Sequence, residues 1–220
     1  EGAAVLAPAV VEQLVDEALA AAAVVDEDVL EVRQLGQVGA HVELGEREGA
    51  RESIREAERV MLEHNLPAEP TSSVEAGRVR LWLAQGSLER AVRWAEQSGL
   101  TESDPVSYVR EPEVLAFLHV LLAQGKPDAA LTLSDRLLAA AEASGRTGRV
   151  ILFLVLQALA WQAKEEVSRA LVALERALVL AQPEGYVRTF LDEGAPMARL
   201  LRHAGSQGIA LPYVTRLLSA

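Results

Sequence analysis

The stretch LLAQGKPDAALTLSDRLLAAAEASG, residues 121–145, has the pattern of two helices joined by a tight corner. Gly125 lies where the first helix should end, and Ala130 follows five residues later. Glycine readily takes the left-handed conformation that often ends a helix, and a small alanine lets the two helices approach closely. The stretch therefore predicts one helical hairpin.

The same spacing recurs along the chain. Its other occurrences are Gly45 with Ala50, Gly86 with Ala91 and, with the glycine replaced, Glu165 with Ala170. The four corners lie at 45, 86, 125 and 165, so they are 41, 39 and 40 residues apart. A fixed period of this size is typical of helical repeats, which must stack because a single hairpin cannot bury its own apolar side. We predict an all-α solenoid of about four hairpins of about 40 residues.

The period divides the chain into a partial repeat and four full repeats, and then it stops. The repeat array is residues 1–185, with the partial repeat at 1–25 and the full repeats at 26–66, 67–104, 105–145 and 146–185. Residues 186–220 predict three short helices, which would cover the last exposed face of the array.

Two segments of the repeat array could be assigned to more than one kind of structure. Residues 67–72, PAEPTS, have the composition of a linker, after which Ser72 or Ser73 would cap the next helix. Residues 150–156 are seven apolar residues in a row, which would also suit a buried strand. Because this pattern continues helically through Trp161, in the first-helix position of a repeat, we predict a helix buried on nearly all sides.

Composition and charge exclude several classes of protein. The chain is 50% apolar, contains no cysteine and carries a net charge of −11. The acidic charge argues against direct nucleic-acid contact by this segment, since phosphate binding needs a basic face. The lack of cysteine suits a reducing, cytoplasmic location. The longest apolar run is well short of the roughly 20 residues of a membrane span.

No motif for catalysis, cofactor binding or metal binding is recognisable. The chain has no G-x-x-x-x-G-K-[ST] phosphate loop, no G-x-G-x-x-G, no G-x-S-x-G and no H-E-x-x-H. Its four histidines are far apart in sequence. We therefore predict no enzyme, no cofactor and no metal site. An acid–base pair formed by two distant glutamates is the alternative, but no pair stands out.

Three runs of sequence carry a more specific resemblance. They are Tyr108 with Arg110–Pro112, Leu122–Gly125, and Glu184–Arg188 continuing through Asp192–Met197. With the surrounding residues 107–150 and 173–201, they resemble the large ATP-dependent LuxR-type transcriptional activators related to the maltose-regulon activator. The resemblance covers about residues 75–220. It implies that the array is a tetratricopeptide-like (TPR-like) superhelix.

The resemblance also implies a place within a longer protein. Such activators carry an N-terminal ATP-binding switch domain, then the superhelix, then a C-terminal helix-turn-helix DNA reader. The chain looks like the superhelix alone, which in this family is understood to sense a small-molecule inducer or a partner protein. We expect the switch domain and the DNA reader as partners. The alternative is a pure protein-interaction scaffold without a small-molecule ligand.

The repeat register suggests where a ligand would bind. First helices line the concave face, and the positions six residues before each corner include Arg80 and His119. Arg78, Tyr108 and Arg110 lie near the starts or inner turns of first helices. Such side chains could hold an anionic or sugar-like ligand. Alternatively, Arg80 pairs with a glutamate, His119 only packs, and Arg110 with its two successors forms a helix start that locks the 99–110 loop.

Overall fold

A computed structural model describes residues 68–104 and 110–220, together with the single positions Arg55 and Arg59. The described residues form helices only, and the predicted all-α solenoid is confirmed. The helices are α1 (Ala68–Ala84), α2 (Leu88–Ser98), α3 (Glu111–Ala123), α4 (Pro127–Ala143), α5 (Thr147–Ala163), α6 (Val167–Ala181), α7 (Arg188–Leu191), α8 (Gly194–Ser206) and α9 (Leu211–Ser219).

Several predictions fall outside the described residues. They are the partial repeat 1–25, nearly all of the repeat 26–66, and the Gly45 corner with Ala50. The division of the chain into repeats therefore stays a prediction.

The three described corners have the conformation that the glycine pattern predicts. Gly86, Gly125 and Glu165 have φ angles of 72°, 67° and 62°. At the middle corner the Gly125 amide donates to the Leu122 carbonyl at 3.0 Å, and the Lys126 amide donates to the Leu121 carbonyl at 2.9 Å. This pair of bonds is the Schellman closure of a helix end. The backbone itself therefore ends the first helix of each hairpin.

The alanines five residues after the corners are fully buried. Ala91, Ala130 and Ala170 all have 0% exposure. Their small side chains allow the second helix to pack tightly against its neighbours, as the sequence pattern predicts.

The helices form two layers. The first helices α1, α3 and α5 contact one another in order and make the inner layer. Each second helix, α2 or α4, packs between the first helix of its own hairpin and the first helix of the next. This alternation of contacts is the solenoid arrangement expected from stacked hairpins.

Helix α5 is the centre of the core. The apolar run 150–156 is helical, as predicted, and only Leu152 in it is partly exposed. Phe153 is fully buried, and residues 153–160 are buried without interruption. The helix is covered because α3, α4, α6, α7 and α8 all contact it.

Three short helices follow the last hairpin, as predicted. Helix α7 contacts α5 and α8, and α8 also contacts α6. Phe190 of α7 is fully buried and meets the ring of Tyr213 of α9 edge-on, with 6.2 Å between ring centroids. The Tyr213 hydroxyl also donates a hydrogen bond to the Tyr186 carbonyl. These contacts fix the C-terminal segment against the inner layer.

The linker prediction for residues 67–72 is wrong. Helix α1 already begins at Ala68, so neither Ser72 nor Ser73 is its N-cap. Pro70 lies in the first turn, where a helix does not need the missing amide hydrogen, so it does not break the helix. In the described part of the chain, no helix is both long and apolar enough to cross a membrane.

Candidate functional site: a cleft between the inner helices and α7

A cleft of about 450 Å³ lies between the inner layer and the segment around α7. Helix α1 contributes one residue, α3 contributes two, and the start of α5 and residues 186–193 contribute the rest. The lining residues are Arg80, Leu115, His119, Arg146, Thr147, Gly148, Arg149, Leu152, Tyr186, Arg188, Thr189, Asp192 and Glu193. We call this space the inner cleft.

His119 and Glu193 form a pair across the inner cleft. The His119 Nε2 atom lies 3.2 Å from the Glu193 Oε1 atom, and the two side chains are only 13% and 9% exposed. The His119 Nδ1 atom lies 2.8 Å from the Leu115 carbonyl oxygen. The His119 ring therefore connects the Leu115 carbonyl of α3 with the Glu193 carboxylate of the C-terminal segment.

The charged neighbours of Glu193 affect the pKa of its carboxyl. Burial by itself would raise the pKa of the Glu193 carboxyl, but the neighbouring His119 and Arg80 charges hold that pKa below its ordinary value. A charged carboxylate in a largely dry site needs such partners to stay ionised. The pair links α3 to the C-terminal segment across 74 positions of sequence.

Arg80 contributes positive charge to the inner cleft. Its side chain is half-buried in the inner cleft. Among the described residues, no hydrogen bond or ion pair to Arg80 is formed, and its charge acts on Glu193 from a distance.

A second group of charges lies at the start of α5. The Glu111 carboxylate, 4% exposed, lies 2.5 Å from Arg146 Nη1 and 2.7 Å from Arg149 Nε. Glu111 opens α3 and the two arginines open α5, so this cluster joins two neighbouring hairpins. Arg146 and Arg149 also line the inner cleft. One buried carboxylate thus serves two guanidinium groups.

Gly148 and Tyr186 are in close contact in the inner cleft. A Cβ atom at position 148 would lie 2.9 Å from the Tyr186 hydroxyl oxygen. Real Cβ contacts are not this short, so only glycine accommodates the ring in this position. Among the described residues, the Tyr186 hydroxyl forms no hydrogen bond.

The structure brings together two of the five predicted site residues. Arg80 and His119 both line the inner cleft, as their shared register position suggests. Arg78 does not line it, because two helical positions correspond to a rotation of about 200°. It instead lies 2.6 Å from Glu75 and over the ring of Trp82.

The other two predicted residues are not part of the inner cleft as described. Arg110 is exposed and lies 2.9 Å from Glu113, so it pairs within its own helix turn. Tyr108 falls outside the described residues.

The 99–104 loop is held by a different residue. The Arg136 guanidinium of α4 donates to the Glu102 carbonyl at 2.8 Å. Thr101 and Asp104 close the turn between them, with the Thr101 hydroxyl donating to Asp104 at 2.8 Å. The three residues from Arg110 to Pro112 therefore do more than start a helix, because Glu111 bonds to the next hairpin.

Sequence reasoning missed most of the C-terminal wall of the inner cleft. The 40-residue period stops before Tyr186, Arg188, Asp192 and Glu193, so the repeat register does not predict where these residues lie. Their only signal was that they lie within a run that carries the family resemblance. In the described part of the chain, no three side chains of the metal-binding types cluster together.

Comparison with known families gives a match over most of the chain. The family model of the MalT-like TPR region matches residues 12–207, a range that includes every residue of the inner cleft. Comparison with curated proteins gave no match. The two-layer array of helical hairpins agrees with the matched family, and the chain belongs to the family of MalT-like TPR regions.

Proposed function

We propose that the chain is the sensor segment of a LuxR-type transcriptional activator and that it binds a small-molecule inducer in the inner cleft. The coarser role, a TPR-like regulatory or interaction module, follows from the family. The inducer and the activator context are the proposal. In this proposal the partners are an ATP-binding switch domain and a DNA-binding domain.

The observation that carries the proposal is the position of the inner cleft. One wall is the inner layer of the repeats, and the other is the C-terminal segment around α7. Its volume of about 450 Å³ is within the usual range for small-molecule sites. Buried polar groups such as the His119–Glu193 pair provide the few fixed hydrogen-bonding groups that such sites use for orientation.

The two-walled site suggests how binding would be transmitted. A ligand that touches both walls binds best at one particular spacing between the inner layer and α7. Binding therefore favours the conformations that have this spacing. It also changes the affinity of the chain for any partner protein that binds one of these conformations preferentially. The His119–Glu193 pair is one direct contact between the walls, so its geometry would report the change.

A protein-interaction scaffold is the second candidate. Val172 and Val179 lie seven positions apart on α6 and are 69% and 62% exposed. Residues at this spacing share a helix face, so together they offer an apolar strip to a partner protein. This observation favours a binding surface outside the inner cleft.

A thermal-shift screen with a metabolite panel separates the two candidates. A ligand at 100 times its dissociation constant should stabilise the chain by about 2.7 kcal/mol. The expected shift disappears in His119→Ala and persists in Glu142→Gln, which changes an exposed carboxylate that does not line the inner cleft. The sensor proposal fails if no metabolite raises the melting temperature while the switch domain binds and Val172→Asp abolishes that binding.

A further inference from the structure

We infer that the ligand of the inner cleft carries an anionic group, a phosphate or a carboxylate, bound near Arg80, Arg149 and the Tyr186 hydroxyl. This inference rests on the proposed sensor function and names the chemical class of the ligand. Three features of the inner cleft support it: its charges, its hydrogen-bond donors without a partner among the described residues, and the start of α5.

The charges that the described residues bring to the inner cleft do not balance. Four arginines and His119 line it, against the carboxylates of Asp192 and Glu193. Asp192 lies 3.0 Å from Arg188, and Glu193 pairs with His119. These contacts leave Arg80 without a carboxylate of its own among the described residues.

The cluster on Glu111 contributes Arg149 to this positive lining. The Glu111 carboxylate lies 2.5 Å from Arg146 Nη1 and 2.7 Å from Arg149 Nε. Arg149 remains 42% exposed and can turn its outer nitrogens toward a ligand. The inner cleft is thus locally positive, although the whole chain carries a net charge of −11. A positive cleft in an acidic protein concentrates small anions where the background repels them.

Uncharged donors lie among these arginines. The Tyr186 hydroxyl forms no hydrogen bond among the described residues, and it lies against Gly148 in the first turn of α5. The Gly148 amide also donates no backbone hydrogen bond among the described residues. The start of a helix presents such amides and the positive end of the helix dipole. An anionic group here would gain two neutral donors in addition to Arg80 and Arg149.

A neutral ligand would leave this arrangement unused. A sugar hydroxyl can accept a hydrogen bond from Arg80 or Tyr186, but it does not neutralise the surplus charge. Bidentate contacts from arginine are strongest with carboxylate and phosphate groups. The inner cleft therefore selects for charge as well as for shape.

The test compares matched pairs of compounds on the 220-residue chain by calorimetry and thermal shift. The probes are inorganic phosphate, glucose 6-phosphate with glucose, and gluconate with glucitol. We expect at least one anion to bind with a dissociation constant of about 1 mM or lower, and its neutral counterpart at least tenfold more weakly. Which pair responds distinguishes phosphate from carboxylate. Added salt should weaken the binding.

Two variants test the site directly. Arg80→Gln and Arg149→Gln should each weaken anion binding at least tenfold, while Arg176→Gln, which pairs with Glu142 outside the inner cleft, should not. Equal binding of a neutral sugar that is lost in His119→Ala overturns the anionic class but leaves the sensor function standing. If neither anions nor neutral compounds bind at about 10 mM, the inference and the sensor proposal both fail.

Discussion

The two ends of α5 are held in place by different forces. From Phe153 to Ala160 every residue of the helix is buried, mostly among apolar neighbours, and the one polar side chain, Gln157, donates to the Asp135 carboxylate at 2.6 Å. Its first turn, from Thr147 to Arg149, instead lines the inner cleft and bonds to the Glu111 carboxylate. Apolar packing depends on volume and tolerates many residues of similar size, whereas the charged end depends on a few specific groups. In the proposed sensor, stability and recognition thus depend on different parts of one helix.

Truncating the apolar end should have the largest effect. Phe153→Ala removes a fully buried ring, and we expect a loss of about 3–5 kcal/mol in the free energy of unfolding, because a cavity remains. Val172→Ala on the exposed side of α6 is the control and should change stability by less than about 0.5 kcal/mol. Urea denaturation measures both. Equal losses would show that α5 is not the centre of the core.

Removing the carboxylate at the charged end should cost less. Glu111→Gln leaves Arg146 and Arg149 without their shared negative charge. Because both arginines are partly exposed, we expect a loss of about 1–3 kcal/mol, below the value for a fully buried pair. Glu113→Gln breaks a pair with the exposed Arg110 and should cost at most about 1 kcal/mol. If the two substitutions cost the same in urea denaturation, Glu111 does not join the hairpins energetically.

A substitution at the corner after α5 should instead raise the free energy of unfolding. Glu165 has a φ of 62°, a conformation in which a Cβ atom is strained. Glu165→Gly should therefore raise the free energy of unfolding by about 0.5–1 kcal/mol, while Gly125→Ala at the equivalent corner should lower it by about 1 kcal/mol. Matched melting curves would show both shifts, and shifts of the same sign would contradict the equivalence of the corners.

The smallest expected effect is a loss of stability in acid, when the Glu193 carboxylate that pairs with His119 becomes protonated. The pKa of the Glu193 carboxyl in the folded chain is below the ordinary value of 4.5. The contribution of this carboxylate to stability is therefore present above pH 4.5 and is lost as the pH falls through the folded pKa. Wild type should thus lose more stability than Glu193→Gln when the pH is lowered from about 5 to 3. If urea denaturation at several pH values shows that wild type and Glu193→Gln lose equal stability in acid, Glu193 does not contribute to the acid response.

The sequence predicted the three described corners well because the signals are local. Glycine at a corner and alanine five residues later act through backbone conformation and close packing, which need no knowledge of distant residues. The same register placed Arg80 and His119 on one wall. The linker at 67–72 was predicted wrongly because its prolines and hydroxyl-bearing residues suit a loop as well as the first turns of a helix.

The partners of those residues could not be predicted in the same way. Glu193 reaches His119 across 74 positions, and Glu111 reaches Arg146 across 35. Such pairs depend on how the C-terminal helices fold back on the array, and no period in the sequence encodes this. Gly148 gave no signal either, since its role is to leave space for a ring 38 residues away.

Tyr186 belongs to two neighbourhoods at once. Its ring lies over Gly148, while its carbonyl accepts the hydrogen bond from Tyr213 of α9. Any displacement of this residue must therefore either carry α9 with it or rupture that bond. Tyr186 therefore couples the inner cleft to α9, the last helix that the structure describes.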